Sequence, residues 1–343
     1  MKVLHVLNSR IYSGAEKVVC QIIKSFRGEI EMVYTSPESE IVARMLAEQN
    51  VTYLPMKTMS VSELSRVIRE QKPDLIHAHD MRAGFFSALC CGKIPLVSHI
   101  HNNAYDARGL SPKTVGYLLA GFKAEHILWV SQSSFDGYAF HKLFAKKSSV
   151  LYNIIDTQQI SDKKAQDSNT YDYDMIYVGR LTFQKDPQRL MRLCARLKKD
   201  KPDLKVAIVG TGELLEEAQV LCESLNIQEN VHFLGFQSNP IKMVADSKAM
   251  ILTSRWEGTP MCALEAMYLG TPVVSTPSDG MKDLLVDGVS GYLTDDDEQM
   301  AQDLLRIFAD PAHRAFLAEN ARRKFDAIND ADAYKKAISD CYF

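Results

Sequence analysis

Residues 254–276 read SRWEGTPMCALEAMYLGTPVVST. Pro260 suits the first position of a helix, Gly270 suits its stop, and Pro272 forbids its continuation. Between them MCALEAMYL, placed at about 100° per residue, leaves no polar face, because Met261 and Leu269 flank Glu265 on the wheel. A helix that is apolar all round is predicted to be buried. The runs on either side, AMILTS at 249–254 and PVVST at 272–276, are continuously apolar, as strands covered on both faces are. Strand, loop, buried helix and strand together make one step of a parallel α/β sheet.

Working outward, the same alternation runs through the chain. KVLHVL leads to a helix from about Glu16 to Phe26, then to EMVYT, a helix over Glu40 to Glu48, and VTYLP. DLIHAHD, PLVSHIH, HILWVS and SVLYN follow, with an Ala- and Cys-rich helix and the helical stretch TVGYLLAGF between them. Residues 157–174, TQQISDKKAQDSNTYDYD, lack a long apolar run and predict a linker. The alternation then restarts with MIYVGR, a basic helix from about Pro187 to Lys198, KVAIVG, ELLEEAQVLCESL and NVHFLGF. This pattern predicts an α/β protein of two Rossmann-like, doubly wound parallel-sheet domains, with ligands bound where the strands' carboxyl ends meet a cleft between them. The predicted domains are residues 1–156 and 175–325, with 326–343 a C-terminal helix packing back toward the first.

Bulk properties agree with two soluble domains. A chain of 343 residues exceeds what one core serves. MKVLHVLNSR is too short an apolar opening for a signal peptide, and no run of about 18 apolar residues occurs. Seven cysteines, an odd number without a C-x-x-C pair, fit neither a disulfide framework nor a zinc site and point to a reducing cytoplasm. Residues 1–155 hold 18 Lys/Arg against 13 Asp/Glu, and residues 156–343 hold 22 against 30. The basic first half is thus suited to resting on an anionic surface such as the inner face of a membrane.

A carboxylate among apolar neighbours is costly unless something neutralises it or hydrogen-bonds to it. Glu265 therefore needs a cationic partner or a ligand. Glu257, eight residues earlier, stands in the loop at the mouth of the strand. Gly258, Thr259 and Pro260 join the two, so backbone can approach a ligand closely. Further back, Arg180 follows a strand directly and Lys185 lies five residues on, with Gly179 allowing close approach. Arg supplies a planar fork for phosphate and Lys a point charge. Gly210 and Gly212 begin a dinucleotide-type turn, but Leu215 occupies the place of the third glycine, which weakens an NAD reading.

EGTPMCALEAMYLGTPVVST, followed by DLLVDGVSGYL, resembles the signature of retaining glycosyltransferases of family 4 (glycosyl transferases group 1), which have the GT-B fold. The resemblance implies that Glu257 contacts the transferred sugar beside its anomeric carbon and that Glu265 accepts hydrogen bonds from the nucleotide's ribose. It implies that Arg180 and Lys185 clamp the donor's phosphates. Gly179, Gly210, Gly258, Thr259, Pro260 and Met261 would border the donor, and Phe236 and Gln237 the base, or else serve as core and loop. It also implies that no cofactor or metal is required, the nucleotide-diphosphate sugar being a co-substrate, and that no nucleic acid is bound.

At the N-terminal face, Gly14 precedes a helix whose amides can meet a phosphate or a hydroxyl. The family usually has two glycines here, and Ser13 replaces the first. Glu16 follows, as the family pattern has it; its plain role is a charge favoured by the helix dipole. The pairs His77/His79 and His99/His101 each share one strand face. They read either as hydrogen-bonded strand ends or as metal ligands, with only Asp80 as an acid nearby. By resemblance His101 reaches the transferred sugar, while His79, Asp80 and Asn102 lie toward the acceptor. Val115, Leu118, Leu119 and Phe122 form a helical stripe near Lys113 and Lys123, for packing on the sheet or for peripheral membrane contact. The expected activity is transfer of a hexosyl or N-acetylhexosaminyl group from a nucleotide-diphosphate sugar, a UDP-sugar favoured, to a lipid-linked or glycan acceptor in cell-envelope polysaccharide synthesis. The alternatives are a UDP-sugar 2-epimerase-type enzyme of the same fold and a non-catalytic nucleotide-sugar binding protein.

Overall fold

Every strand pair among the described residues of the computed structural model, 1–101 and 107–343, is parallel. Contacts divide the chain into two units, Met1–Ile154 with Asp330–Phe343, and Ile155–Asn329.

In the first unit the strands are β1 Lys2–Val6, β2 Glu31–Pro37, β3 Thr52–Met56, β4 Leu75–Ala78, β5 Leu96–Ile100, β6 His126–Trp129 and β7 Ser148–Val150. They lie in the order β3-β2-β1-β4-β5-β6-β7. Between them run α1 Gly14–Ser25, α2 Glu40–Glu48, α3 Val61–Gln71, α4 Met81–Cys90, α5 Pro112–Lys123 and α6 Gln132–Asp136. β4 and β5 are buried throughout, as the apolar runs require. The core gathers Leu4, Val6, Ile76, Tyr117, Trp129 and Phe144. α3 is not anticipated by the strand-and-helix reading above. Its stripe of Leu64, Val67 and Ile68 is short, and the serines and charges around it resemble a loop until Ser60 is seen accepting the Glu63 amide as its cap.

The second unit begins with α7 Thr157–Gln166, so the stretch expected as a linker is part helix, capped by Asp156. Asp156 accepts the Gln159 amide, and Ile160 is buried. This one buried apolar residue is too weak a sequence signal for a helix. The unit continues with β8 Met175–Val178, α8 Pro187–Asp200, β9 Val206–Val209, α9 Leu215–Ser224, β10 Val231–Gly235, α10 Ile241–Asp246, β11 Ala249–Leu252, α11 Met261–Leu269 and β12 Val273–Ser275. Then come α12 Asp279–Leu284, β13 Tyr292–Leu293, α13 Asp297–Ala309 and α14 Pro311–Ile328. The sheet order is β10-β9-β8-β11-β12-β13. The final helix, α15 Ala331–Ser339, belongs to the first unit, where Tyr342 shares a 2.7 Å hydrogen bond with His77.

Both sheets reverse their winding direction once, the first between β1 and β4, the second between β8 and β11. Loops leaving such a pair of strands at their carboxyl ends diverge and open a crevice within the unit. The residues singled out by sequence follow those strands: Gly14 after β1 and His79 after β4; Arg180 and Lys185 after β8, and Glu257 after β11.

Candidate functional site

In the second unit, the loops after β8 and β9 lie backbone against backbone. Gly179 N donates to Val209 O at 2.9 Å, and Leu181 N to Thr211 O at 2.9 Å. A Cβ on Gly210, where φ is +140°, would sit 1.9 Å from Gly179 O, and one on Gly212 would sit 2.2 Å from Leu181 O. These two glycines therefore serve the close approach of two loops, which explains them without a dinucleotide. Tyr177 Oη donates to Arg180 O at 2.8 Å, while the Arg180 side chain is exposed and has no ion-pair partner among the described residues.

The loop after β8 is then laced to the loop after β11. Thr253 Oγ1 donates to Lys185 O at 2.9 Å, Arg255 N to Gln184 O at 2.8 Å, and Gln184 Nε2 to Trp256 O at 2.9 Å. Asp186 caps α8 through the Arg189 amide and holds Arg255 at 2.7 Å. Thus held, Lys185 Nζ forms an ion pair with Glu257 Oε1, and Ser254 Oγ donates to the same oxygen at 2.6 Å. The lysine side chain is 12% exposed and the glutamate 6%. A cation and an anion are thereby presented side by side at the switch point of this sheet.

Pro260 is the N-cap residue of α11, one position before the helix that sequence reading began at it, and Gly270 ends the helix at φ +75° as its αL stop. Glu265 is 2% exposed within this apolar helix. Thr259 and Met261 are buried too. Phe236, after β10, is 39% exposed, and Gln237 Nε2 donates back to Leu234 O at 2.7 Å. A Cβ on Gly280 in α12 would overlap Gly258 O, at 1.2 Å. We therefore expect Gly280→Ala to push the Glu257–Pro260 loop outward and lower thermal stability by several degrees, a shift readable by a melting scan. An unchanged melting temperature would mean the loop is not held there.

In the first unit Gly14 opens α1, and Ser13 and Glu16 form a capping box in which Ser13 N and Oγ both donate to Glu16 Oε2 at 2.8 Å. The serine that stands for a glycine is thus part of the cap. Asp80 caps α4. Its two oxygens accept the Asn8 amide at 2.9 Å and the Ala83 amide at 2.6 Å, so it ties the loop after β1 to the end of β4. Burial raises its pKa, against the pull of these amides. Asn102 lies outside the described residues.

His79 and His101 come together with three more imidazoles. His5 Nδ1 is 2.8 Å from His79 Nε2, and His79 Nδ1 is 2.9 Å from His101 Nε2. His77 and His99 stack among them, with ring centroids 5.5 Å apart. Burial lowers the pKa of His5 and of His101 to about 3, and holds His77, His79 and His99 well below the ordinary range too. All five are neutral near pH 7. His5 escapes a reading by spacing because it has no period-two neighbour; only the register His5↔His77 puts it in the group. Ser254, Asp186 and Arg255, which frame the Lys185–Glu257 pair, likewise carry no signal in isolation.

Two family models match in succession, glycosyltransferase family 4 over residues 13–159 and glycosyl transferases group 1 over residues 158–324. An uncharacterized glycosyltransferase of Methanocaldococcus jannaschii is 29% identical over 73% of this chain and 66% of its own. N-acetylgalactosamine-N,N'-diacetylbacillosaminyl-diphospho-undecaprenol 4-alpha-N-acetylgalactosaminyltransferase of Campylobacter jejuni is 32% identical over 56% of this chain and 53% of its own. The chain thus spans less than two thirds of the length of these curated relatives. The structure of Anabaena HepE in complex with UDP-glucose shares the fold at a TM-score of 0.85, with 22% identity over 99% of this chain and 98% of that one. Since the two family models together run without a break from residue 13, in the loop after β1, to residue 324, in α14, the chain belongs to the group 1, family 4-type glycosyltransferases and has their GT-B fold.

Proposed function

We propose that this protein transfers a sugar, with retention, from a nucleotide-diphosphate donor, a UDP-sugar favoured, to a lipid-linked or glycan acceptor in cell-envelope polysaccharide synthesis. The observation that carries this reading is the buried Lys185–Glu257 pair at the switch point of the second sheet, whose β8 loop also carries the exposed Arg180. As the bond from the anomeric carbon to the diphosphate breaks, negative charge grows on the leaving oxygens and positive charge on the sugar. Arg180 and Lys185 answer the first, Glu257 the second. Glu265 receives the ribose hydroxyls, and Phe236 and Gln237 stand by the base. The acceptor hydroxyl attacks on the face the diphosphate leaves, and a phosphate oxygen takes its proton, so positioning does the work that a named base would do elsewhere. His101 meets the transferred sugar, and His79 and Asp80 shape the acceptor side. No metal is needed for this chemistry; activity should persist in a chelator.

The Campylobacter jejuni relative, named for a diphospho-undecaprenol-linked saccharide, supports the acceptor class, and the surface of the first unit supports work at a membrane. No helix among the described residues is long and apolar enough to cross one. The α5 stripe divides: Leu118 and Leu119 pack on the core, while Val115 is 52% and Phe122 66% exposed, with Leu110 and Leu143 also outward. Lys113 and Lys123 flank them, as a headgroup contact requires.

A melting panel of UDP-, GDP-, ADP- and dTDP-sugars tests the donor, because a matched ligand stabilises the native state by mass action. We expect the UDP-sugars alone to raise the melting temperature. Following UDP-hexoses by NMR without acceptor then tests the reaction: an epimer accumulating would defeat transfer in favour of epimerisation.

A further inference from the structure

His5, His79 and His101 form one hydrogen-bonded chain across β1, β4 and β5, and its inner end is a thioether: His5 Nε2 lies 3.4 Å from Met32 Sδ. A neutral imidazole has one N–H and one lone pair, and a thioether can only accept. His5 is therefore satisfied at that end only with its proton on Nε2. Its Nδ1 then accepts from His79 Nε2–H, and His79 Nδ1 accepts from His101 Nε2–H. The proton on His101 is thereby assigned from three residues away, and its Nδ1 carries a lone pair.

The outer end leads to the same direction. His101 Nδ1 is buried and has no partner among the described residues. Run the other way, the chain would bury an orphaned N–H there and point a lone pair at sulfur, and orphaned buried donors are rarer than orphaned acceptors. A metal is the rival taker of these nitrogens, since His5/His77/His79 and His79/His99/His101 are each close enough to share one. However, both nitrogens of His79 are already engaged, so either group would have to break the chain to bind an ion.

We infer that Met32, His5 and His79 act as positioning residues that lock His101 in its Nε2–H tautomer, making Nδ1 an acceptor that selects a hydroxyl donor on the bound sugar. The selected ligand group rests on the proposed placement of His101 at the transferred sugar; the tautomer does not.

The experiment therefore has two arms. Long-range ¹H–¹⁵N NMR of protein labelled in histidine, assigned with single His→Gln variants, should show protonated Nε2 and unprotonated Nδ1 at His5, His79 and His101 without any ligand. Met32→Leu, close in volume and unable to accept, should keep the melting temperature within a few degrees while tautomer mixing appears at His5. A proton on His101 Nδ1, or Zn(II) titration shifting His79 and His101 together, overturns the lock. In the second arm, donor sugars carrying fluorine in place of one hydroxyl at a time are bound to wild type and to His101→Ala. One position should cost wild type about tenfold in affinity and the variant almost nothing, because fluorine cannot donate. Equal binding of all the analogues, with the tautomer confirmed, overturns the selection and with it the placement of His101 at the sugar.

Discussion

Lys185→Ala is expected to destabilise the second unit by about 3–5 kcal/mol and to reduce transfer by about 10²–10³-fold. Both effects have the same origin. Lys185 and Glu257 are nearly enclosed, and the attraction between them offsets the cost of taking each charge out of water. With the ammonium gone, Glu257 Oε1 keeps the Ser254 hydroxyl, a hydrogen bond that cannot neutralise a charge. A buried carboxylate without its counter-ion is among the few single-residue defects of this size. The double variant Lys185→Met/Glu257→Gln separates structure from chemistry. It removes both charges at similar volume and should regain most of the lost stability in urea titration, while binding and turnover of the donor stay at the level of the single variant. Losses that simply add in the double variant would show that the two groups do not act as a pair.

Acid should unfold the first unit well before ordinary carboxylates are protonated. The sign follows from the histidine group. In the unfolded chain each imidazole takes a proton near pH 6.5, whereas in the native state burial lowers the pKa of His5 and His101 to about 3. Between these values the unfolded state binds more protons, so stability is fully present above about pH 6.5 and is lost as pH falls toward 3. Each such histidine costs roughly 1 kcal/mol per pH unit in that window, and His77, His79 and His99 shift the same way. Their sum between pH 6.5 and 5 is a large part of an ordinary domain's stability. The facing titratable group from the C-terminal segment, Tyr342, stays neutral throughout, its pKa raised by burial. Melting scans from pH 8 to pH 5 should show a steep fall. His99→Leu is the matched control: both ring nitrogens of His99 are buried without partners among the described residues, so leucine should be neutral or stabilising at pH 7.5 and flatten the acid slope. A slope that the substitution leaves unchanged would place the acid sensitivity elsewhere.

Much of this molecule is legible along the chain because the causes are local. Unbroken apolar runs predict buried parallel strands. The Pro260 and Gly270 punctuation predicts α11 to within one residue, and Glu265 stands out because an apolar helix leaves no exposed face for it. The motif from Glu257 onward is equally local, since a strand end, a glycine loop and a helix start must be adjacent in sequence. What escapes is either weak locally or not local at all. The few buried residues of α3 and α7 give helical periodicity too little to work with. The partner of Lys185 is 72 residues away, and the route from Met32 to His101 crosses four strands' worth of chain. By itself, then, the sequence determined the apolar strands, the helices with a strong apolar pattern and which residue types stand at the strands' carboxyl ends. Only the tertiary structure decided which charges neutralise one another and which imidazole nitrogen holds the proton. Those outcomes depend on strand order and register, and hydrogen bonds and ion pairs depend on distances that spacing along a chain does not set.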